Sequence, residues 1–195
     1  MTTSFGKSGV AGVAALLAAG ALVANAAPAW AIASDQAQSH LQFTARESEV
    51  ALNGTFGRFA ADVVFDPAHL QATKIQVDID TDSVDAGGKD ANSLLRSAEF
   101  FDVQRFPHAS FTSTSVVATG PGAFQATGPF TLKGHTSNLV ISFTTRADAN
   151  GMQFEGTAPI SRLAYGVGQG QWSDTSTLDD EVAIHFQLRL APPKP

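Results

Sequence analysis

The 195-residue chain contains no cysteine. No disulfide can staple it, no thiolate can serve as nucleophile or metal ligand, and no N-terminal cysteine can carry a lipid. Positive charge is also scarce: 12 Lys and Arg against 18 Asp and Glu leave a formal net charge of −6, which argues against a nucleic-acid partner. One tyrosine and two tryptophans accompany 14 phenylalanines, so a large interior would be apolar and nearly without phenol donors. Beyond the first 25 or so residues there is no apolar run long enough for a helical membrane span. What is present is 44% hydrophobic residues, enough for one domain with a sizeable core and without the signature of disorder.

Lys7 precedes an apolar run from Val10 to Val23 that ends in Ala24-Asn25-Ala26, the order of a secretory signal peptide with a small-x-small cleavage site. The run is short and rich in Ala and Gly for an uncleaved anchor. Residues 1–26 are therefore expected to be removed, leaving a soluble periplasmic or secreted protein and, with Lys7 gone, a still more acidic one. The domain is expected over residues 27–191, and the proline-rich residues 192–195 as a disordered tail.

The remainder reads almost wholly as strands. Leu41 and Phe43, then Val50, Leu52, Gly54 and Phe56, then Phe59 to Phe65, then Ile75, Val77 and Ile79 recur with period two, each run having one apolar face. Asp66-Pro67 and Gly87-Gly88 punctuate them. The pattern breaks at Asp90–Phe101, DANSLLRSAEFF, where Asp90 or Asn92 is placed to cap a short helix carrying Leu94 and Leu95. Alternation resumes over Ser110–Val117, Ala123–Leu132, Leu139–Thr145, Met152–Ile160 and Val182–Leu190. The spacing predicts an all-β antiparallel sandwich or barrel of about eight to ten strands.

Three apolar faces mix large and small residues: Phe124, Ala126, Gly128, Phe130; Leu52, Gly54, Phe56; and Phe154, Gly156, Ala158, Ile160. Missing volume on several strands suits a hollow barrel holding one ligand; equally, the glycines suit bends or bulges. A ligand inside would be held by its hydrocarbon, at about 4 kcal/mol gross per five-carbon unit.

Other chemistry finds little support. Asp78, Asp80 and Asp82 have calcium-loop spacing, but Ser83 stands where Gly is needed and Lys89 where the closing Glu belongs. Gly166-Val167-Gly168-Gln169-Gly170 lacks the following Lys-Ser/Thr and helix of a phosphate cradle, and reads instead as a bend or barrel rim. His40, His69, His108, His135 and His185 show no metal-ligand spacing. Asn53-Gly54-Thr55 is a chance-level glycosylation sequon. No G-x-S-x-G or buried carboxylate pair appears, so no catalytic residue, metal or required cofactor is expected.

In order and spacing the residues resemble the YceI-like, polyisoprenoid-binding proteins. The resemblance rests on Gly54-x-Phe56-x-x-Phe59, Phe65-Asp66-Pro67, and Asp90 with Leu94, Leu95, Phe100, Phe101 and Asp102. It continues through Phe106-Pro107 with Phe111, Gly128-Pro129-Phe130-Thr131-Leu132-Lys133-Gly134-His135-Thr136 and Ile160-Ser161-Arg162. It ends with Tyr165-Gly166-Val167-Gly168, Trp172 and Asp180-Glu181-Val182. Asp179 departs from the small residue expected there. The resemblance implies a lipocalin-like antiparallel β-barrel of about eight strands with one short helix at its mouth, and an interior that sequesters a polyprenol, an isoprenoid quinone or a similar amphiphile.

The implied lining is Phe43, Phe56, Ile75, Val77, Phe111, Phe124 and Phe130, continuing through Ile141, Phe143, Phe154, Ile160, Val182, Ile184 and Phe186. The implied mouth is Leu94, Leu95, Phe100 and Phe101, with Trp172 at the corner before the last strand. Some relatives are associated with membrane b-type cytochromes, so contact with a membrane or a membrane cytochrome is the accompanying partner expectation. Two rival readings are an enzyme acting on a lipid headgroup and a filled barrel serving as an interaction module for a membrane partner.

Overall fold

A computed structural model describes residues 30–33, 36–149 and 151–190, with side chains from residue 37 onward. The expected signal peptide and C-terminal tail lie outside these residues. The described chain forms one twelve-stranded antiparallel sheet. In chain order its strands are β1 (Trp30–Ala33), β2 (His40–Glu47), β3 (Val50–Phe56), β4 (Phe59–Phe65), β5 (Lys74–Asp80) and β6 (Val84–Asp85). After helix α1 (Lys89–Arg96) come β7 (His108–Thr112), β8 (Ser115–Gly120), β9 (Ala123–Leu132), β10 (His135–Asp148), β11 (Gly151–Ser161) and β12 (Glu181–Leu190). The spatial order is β1-β4-β5-β7-β9-β10-β11-β12-β2-β3-β6, with β8 also paired to β9.

The sheet curls into a half-barrel because nearly every strand buries one face. β4 shows the cause: Phe59, Ala61, Val63 and Phe65 are buried while Ala60 and Asp62 are exposed, the period-two signature of a sheet with one dry side. β3 and β4 share no ladder although only Gly57 and Arg58 separate them. That corner is held by Gly57 N–H donating to Ser83 O at 3.2 Å, Asp80 N–H to Arg58 O at 3.0 Å and Arg58 N–H to Ser83 Oγ at 3.0 Å.

The strand count exceeds the expected eight to ten because the end strands are short and because Ser110–Val117 is not one strand. β7 pairs β9 at Phe111–Phe130 and β8 pairs the same edge at Val116–Ala126. Between them the chain steps across β9 at Gly128, where a methyl group would overlap the carbonyl of Thr112. Pro129 follows, with no N–H to offer a ladder. The freed segment bonds elsewhere: Ser113 and Ile75 exchange N–H···Oγ and N–H···O bonds of 2.8 Å. β10 is longer at both ends than the expected Leu139–Thr145. It pairs with β9 from Leu132–His135 onward through a tight turn in which Lys133 and Gly134 have φ of 49° and 77°, the left-handed geometry of a two-residue hairpin.

Neither Asp90 nor Asn92 caps α1. Gly88 occupies the cap with no side-chain bond, because the helix begins at Lys89 and both residues lie inside its first turn; the Asn92 amide instead accepts from Ala86 N–H at its Oδ1 at 2.7 Å and donates from its Nδ2 to Asp85 at 2.9 Å. The helix is thus stitched to β6. It ends at Arg96, whose guanidinium donates to the carbonyls of Asp82 and Val84.

The crossing at β9 is testable. Gly128→Ala should lower unfolding free energy by about 1–3 kcal/mol in urea titration, whereas Gly120→Ala, where the nearest atom to an added methyl is 3.8 Å away, should change it by no more than about 0.5 kcal/mol. Equal effects would contradict the crossing.

Candidate binding cavity

The inward faces enclose a cavity of about 480 Å³, within the usual range of small-molecule sites. Its floor is a phenylalanine cluster. Phe65 is fully buried, and its ring centroid lies 5.1 Å from Phe124 and 5.2 Å from Phe154, both edge-on, while Phe124 stacks on Phe143 at 5.5 Å. Edge-to-face contacts of this kind add to the burial of each ring. A second aromatic run, Phe43–Phe56–Phe101, climbs the wall at centroid spacings of 5.7 and 5.6 Å, and Phe100 meets Trp172 at 5.6 Å under the roof.

Of the residues expected to line the interior, Phe43, Phe56, Ile75, Val77, Phe111, Phe130, Ile141, Phe143, Phe154, Ile160, Val182, Ile184 and Phe186 all face the cavity. Leu94, Leu95, Phe100, Phe101 and Trp172 face it from the helix and loops. Phe124 does not line it. Its ring is inward but lies below the floor, filled in by Phe65 and Phe143, since alternation fixes the face of a residue and not its height along the barrel. The glycines do not supply the space either. A methyl at Gly54 would overlap the Phe43 ring, and at Gly156 the Phe186 ring and the Ser142 carbonyl. Phe43–Gly54 and Phe186–Gly156 are direct cross-strand partners, so each glycine seats the ring opposite.

Leu41, Phe59, Leu132, Leu139 and Leu188 also line the cavity, and their places in the same apolar stripes were the available signal. Two charged residues line it as well, Glu47 and Arg162. Each continues an inward stripe: Phe43, Ala45, Glu47 on β2, and Ala158, Ile160, Arg162 at the end of β11.

Arg162 is 2% exposed and meets no carboxylate. Its guanidinium donates instead to Leu178 O at 2.6 Å, Asp179 O at 2.8 Å, Gly168 O at 3.0 Å and Val167 O at 3.1 Å. Burial pushes its pKa down, partly offset by Asp180 and Asp179. The glycine-rich loop therefore wraps a cation. Gly166, Gly168 and Gly170 have φ of 66°, 73° and 66°, and a side chain at Gly168 would overlap the guanidinium. The loop's N–H groups are committed as well: Gly168 and Gln169 both donate to Glu99 O, at 2.8 and 3.0 Å. Lys133 joins the same two loops, its ammonium donating to Gly166 O at 2.7 Å and Ala98 O at 2.8 Å; burial lowers its pKa too.

The opening is marked by lining residues that are themselves exposed: Ala51, Leu52 and Asn53 on β3 and Ala91 on α1. Beside it Val50 and Leu52 stand 62% and 41% exposed. On the outer face the aspartates with calcium-loop spacing each meet a separate cationic or imidazole partner, Asp78 with His108, Asp80 with Arg58 and Asp82 with Arg96, at 2.8–2.9 Å.

A family model described as the YceI-like domain matches residues 30–190. A UPF0312 protein of Ectopseudomonas mendocina is 36% identical over 133 residues, covering 67% of this chain and 70% of that protein. A Vibrio cholerae UPF0312 protein is 34% identical over 115 residues, 57% of this chain; the chain thus spans 61% of that relative's length. Among solved structures, Burkholderia cenocepacia BcnA is similar at a TM-score of 0.78 with 34% identity, over 80% of this chain and 98% of that one. A polyisoprenoid binding domain from Saccharophagus degradans, 17% identical, shares the fold at a TM-score of 0.67, over 84% of this chain and 99% of that one.

Two measurements address this architecture. Arg162→Met keeps the stem but strands four carbonyls; unfolding free energy should fall by about 3 kcal/mol or more, and Trp172 emission should shift to the red as the roof loosens. Asp85 has its pKa held down by the Asn92 amide and the Gly87 N–H. Its stabilising effect is thus complete above the ordinary carboxylate pKa of about 3.9 and lost as pH falls through the depressed folded value. The urea midpoint should stay flat from pH 7 to 5 and drop below about pH 4, with a smaller drop in Asp85→Asn.

Proposed function

The chain belongs to the YceI-like domain family, and on that premise we propose that it is an exported carrier that sequesters an apolar-tailed amphiphile of isoprenoid type in its half-barrel. The observation that carries this reading is the cavity itself: a space of about 480 Å³ walled by phenylalanine, leucine, isoleucine and valine, with its one buried cation consumed by backbone carbonyls. Such a wall has little to offer a polar substrate and much to offer a hydrocarbon, each buried methylene contributing about 0.8 kcal/mol before ordering costs.

The name of the Saccharophagus relative, a polyisoprenoid binding domain, agrees in chemistry. A carrier also accounts for the absence of a nucleophile–base pair among the cavity's described lining, which turnover of a headgroup would need. Export, supported by the signal-peptide pattern of residues 1–26, is part of the proposal, as is any contact with a membrane or membrane cytochrome. A filled barrel acting only as an interaction module would have no use for the space above the phenylalanine floor.

Native mass spectrometry with organic extraction of the purified full chain tests the reading. The expected result is a co-purifying lipid with a long apolar tail, or stoichiometric uptake of an added isoprenoid quinone or prenol. Ala45→Trp, which puts an indole at a half-buried lining position, should reduce uptake at least about tenfold while the far-ultraviolet circular dichroism is kept. An empty protein that takes up neither ligand would overturn the proposal.

A further inference from the structure

The carrier reading leaves open which polar end the ligand presents at the mouth, and the charged groups there bear on it. Glu47 is the last inward residue of β2, after Phe43 and Ala45, and it lines the cavity next to the exposed Ala51 and Leu52. Its backbone is fixed from two sides: it pairs with Val50 across the hairpin and bridges Leu178 of the roof loop. The turn beyond it is equally constrained. Ser48 and Glu49 both have positive φ, 47° and 69°, and Ser48 N–H donates to Thr177 O at 2.9 Å. The carboxylate is therefore carried on a fixed stretch of backbone at the rim, half-buried, without a hydrogen bond or ion pair to any described residue.

Within the lining no cation is free to answer it or to receive an anionic ligand. Arg162, the other charged lining residue, spends its donors on four carbonyls. Lys133 spends its ammonium on the carbonyls of Ala98, Glu99 and Gly166. Arg96 on α1 is tied to Asp82 and to the carbonyls of Asp82 and Val84. Around the mouth the hairpin adds Arg46 and Glu49, β6 and α1 add Asp85, Lys89 and Asp90, and the roof loop adds Asp174, Asp179 and Asp180. Arg46 and Lys89 offset part of this charge but neither lines the cavity, so a phosphate or carboxylate drawn inside would meet the Glu47 carboxylate and find no free cation there.

We propose that the cavity selects amphiphiles whose polar end is cationic or a strong hydrogen-bond donor, an amine above all, and disfavours phosphate ends, with the Glu47 carboxylate reading that difference. This rests on the carrier reading and narrows it. A partly buried carboxylate accepting an N–H from an ammonium forms a charge-assisted hydrogen bond, while the tail supplies most of the affinity from the apolar wall.

Three probes with one tail isolate the headgroup: farnesylamine, farnesol and farnesyl phosphate, each competing against neutral N-phenyl-1-naphthylamine on the delipidated full chain at pH 7. Farnesylamine should displace the probe at about tenfold lower concentration than farnesyl phosphate, with farnesol between them. In Glu47→Gln the amine and phosphate should come within about twofold of each other, while farnesol is unchanged. Glu49→Gln, which removes a carboxylate from the same turn but not from the cavity lining, should keep the wild-type order. Phosphate binding equal to or tighter than amine binding in the wild type, or an amine preference that survives Glu47→Gln, overturns the inference and leaves the carrier reading standing. Failure of all three to displace the probe overturns the carrier reading and the inference with it.

Discussion

The roof of the barrel depends on one buried guanidinium. Loops that cover the end of a sheet carry carbonyls that cannot join a ladder and, once buried, cost free energy unless they are paired. Here Arg162 answers four of them at once, from residues 167 and 168 on one limb of the loop and 178 and 179 on the other. A carboxylate partner would have taken up those donors; its absence is what lets one cation organise a loop of this length. Gly168 follows from the same constraint, because only a residue without a side chain can lie against the guanidinium. Lys133 repeats the device on a smaller scale, linking that loop to the exit of α1. The cost is desolvation of two cations, visible in their lowered pKa values, and it is offset by fixing the elements over the cavity.

A rigid roof matters because the interior below it is not filled by side chains. Close packing is the default of a protein core, and the lower part obeys it: Phe65 meets Phe124, Phe143 and Phe154 edge to face, and Phe124 stacks on Phe143. Above that floor the strands continue to point apolar side chains inward without partners to interdigitate with. The cross-strand pairing of Phe43 with Gly54 and of Phe186 with Gly156 lays those rings down over the opposite glycine, so large residues line the wall instead of crossing the lumen. The hollow is therefore not made by small residues in the sense their size suggests. Glycine contributes by giving a neighbouring ring somewhere to lie.

These distinctions mark how far the amino-acid pattern could be read. β2, β3, β4, β5, β9, β11 and β12 lie close to where alternation placed them; β4 separates a wet from a dry face along its whole length, whereas β3 alternates in burial only over Gly54–Phe56 and its first four residues are exposed. The β7–β8 break escaped it, since the polar run Thr112–Ser115 between the buried Phe111 and Val116 holds no Gly or Pro to mark a boundary; the cause is the crossing at Gly128, eighteen residues from Ser110 and visible only in three dimensions. The inward residues were legible for the same reason as the strands, and Phe124 was misplaced because period two carries no information on depth. Arg162 and Glu47 were not picked out as lining, although each stands as a charge at the end of an apolar stripe. What separates them, one saturated by carbonyls and the other unpaired, depends on where a distant loop folds back.

The opening and the incomplete ladder are one fact. β3 has β2 along one edge, but on the other it meets only β6, at Thr55 and Phe56, leaving residues 50–54 without a ladder partner on that side among the described residues. An exposed edge of this kind invites association, and Val50 and Leu52 make it apolar as well. Completing the barrel with a full strand there would satisfy the edge and also seal the cavity at the place where Ala51, Leu52 and Ala91 now border it. α1 stands near the gap instead, held to β6 by Asn92 and to the carbonyls of residues 82 and 84 by Arg96. A helix satisfies its own backbone and so can border the opening without hydrogen-bonding to β3. The fold thereby keeps a lateral opening into the cavity, and under the proposed function a long tail would enter there past the Glu47 carboxylate.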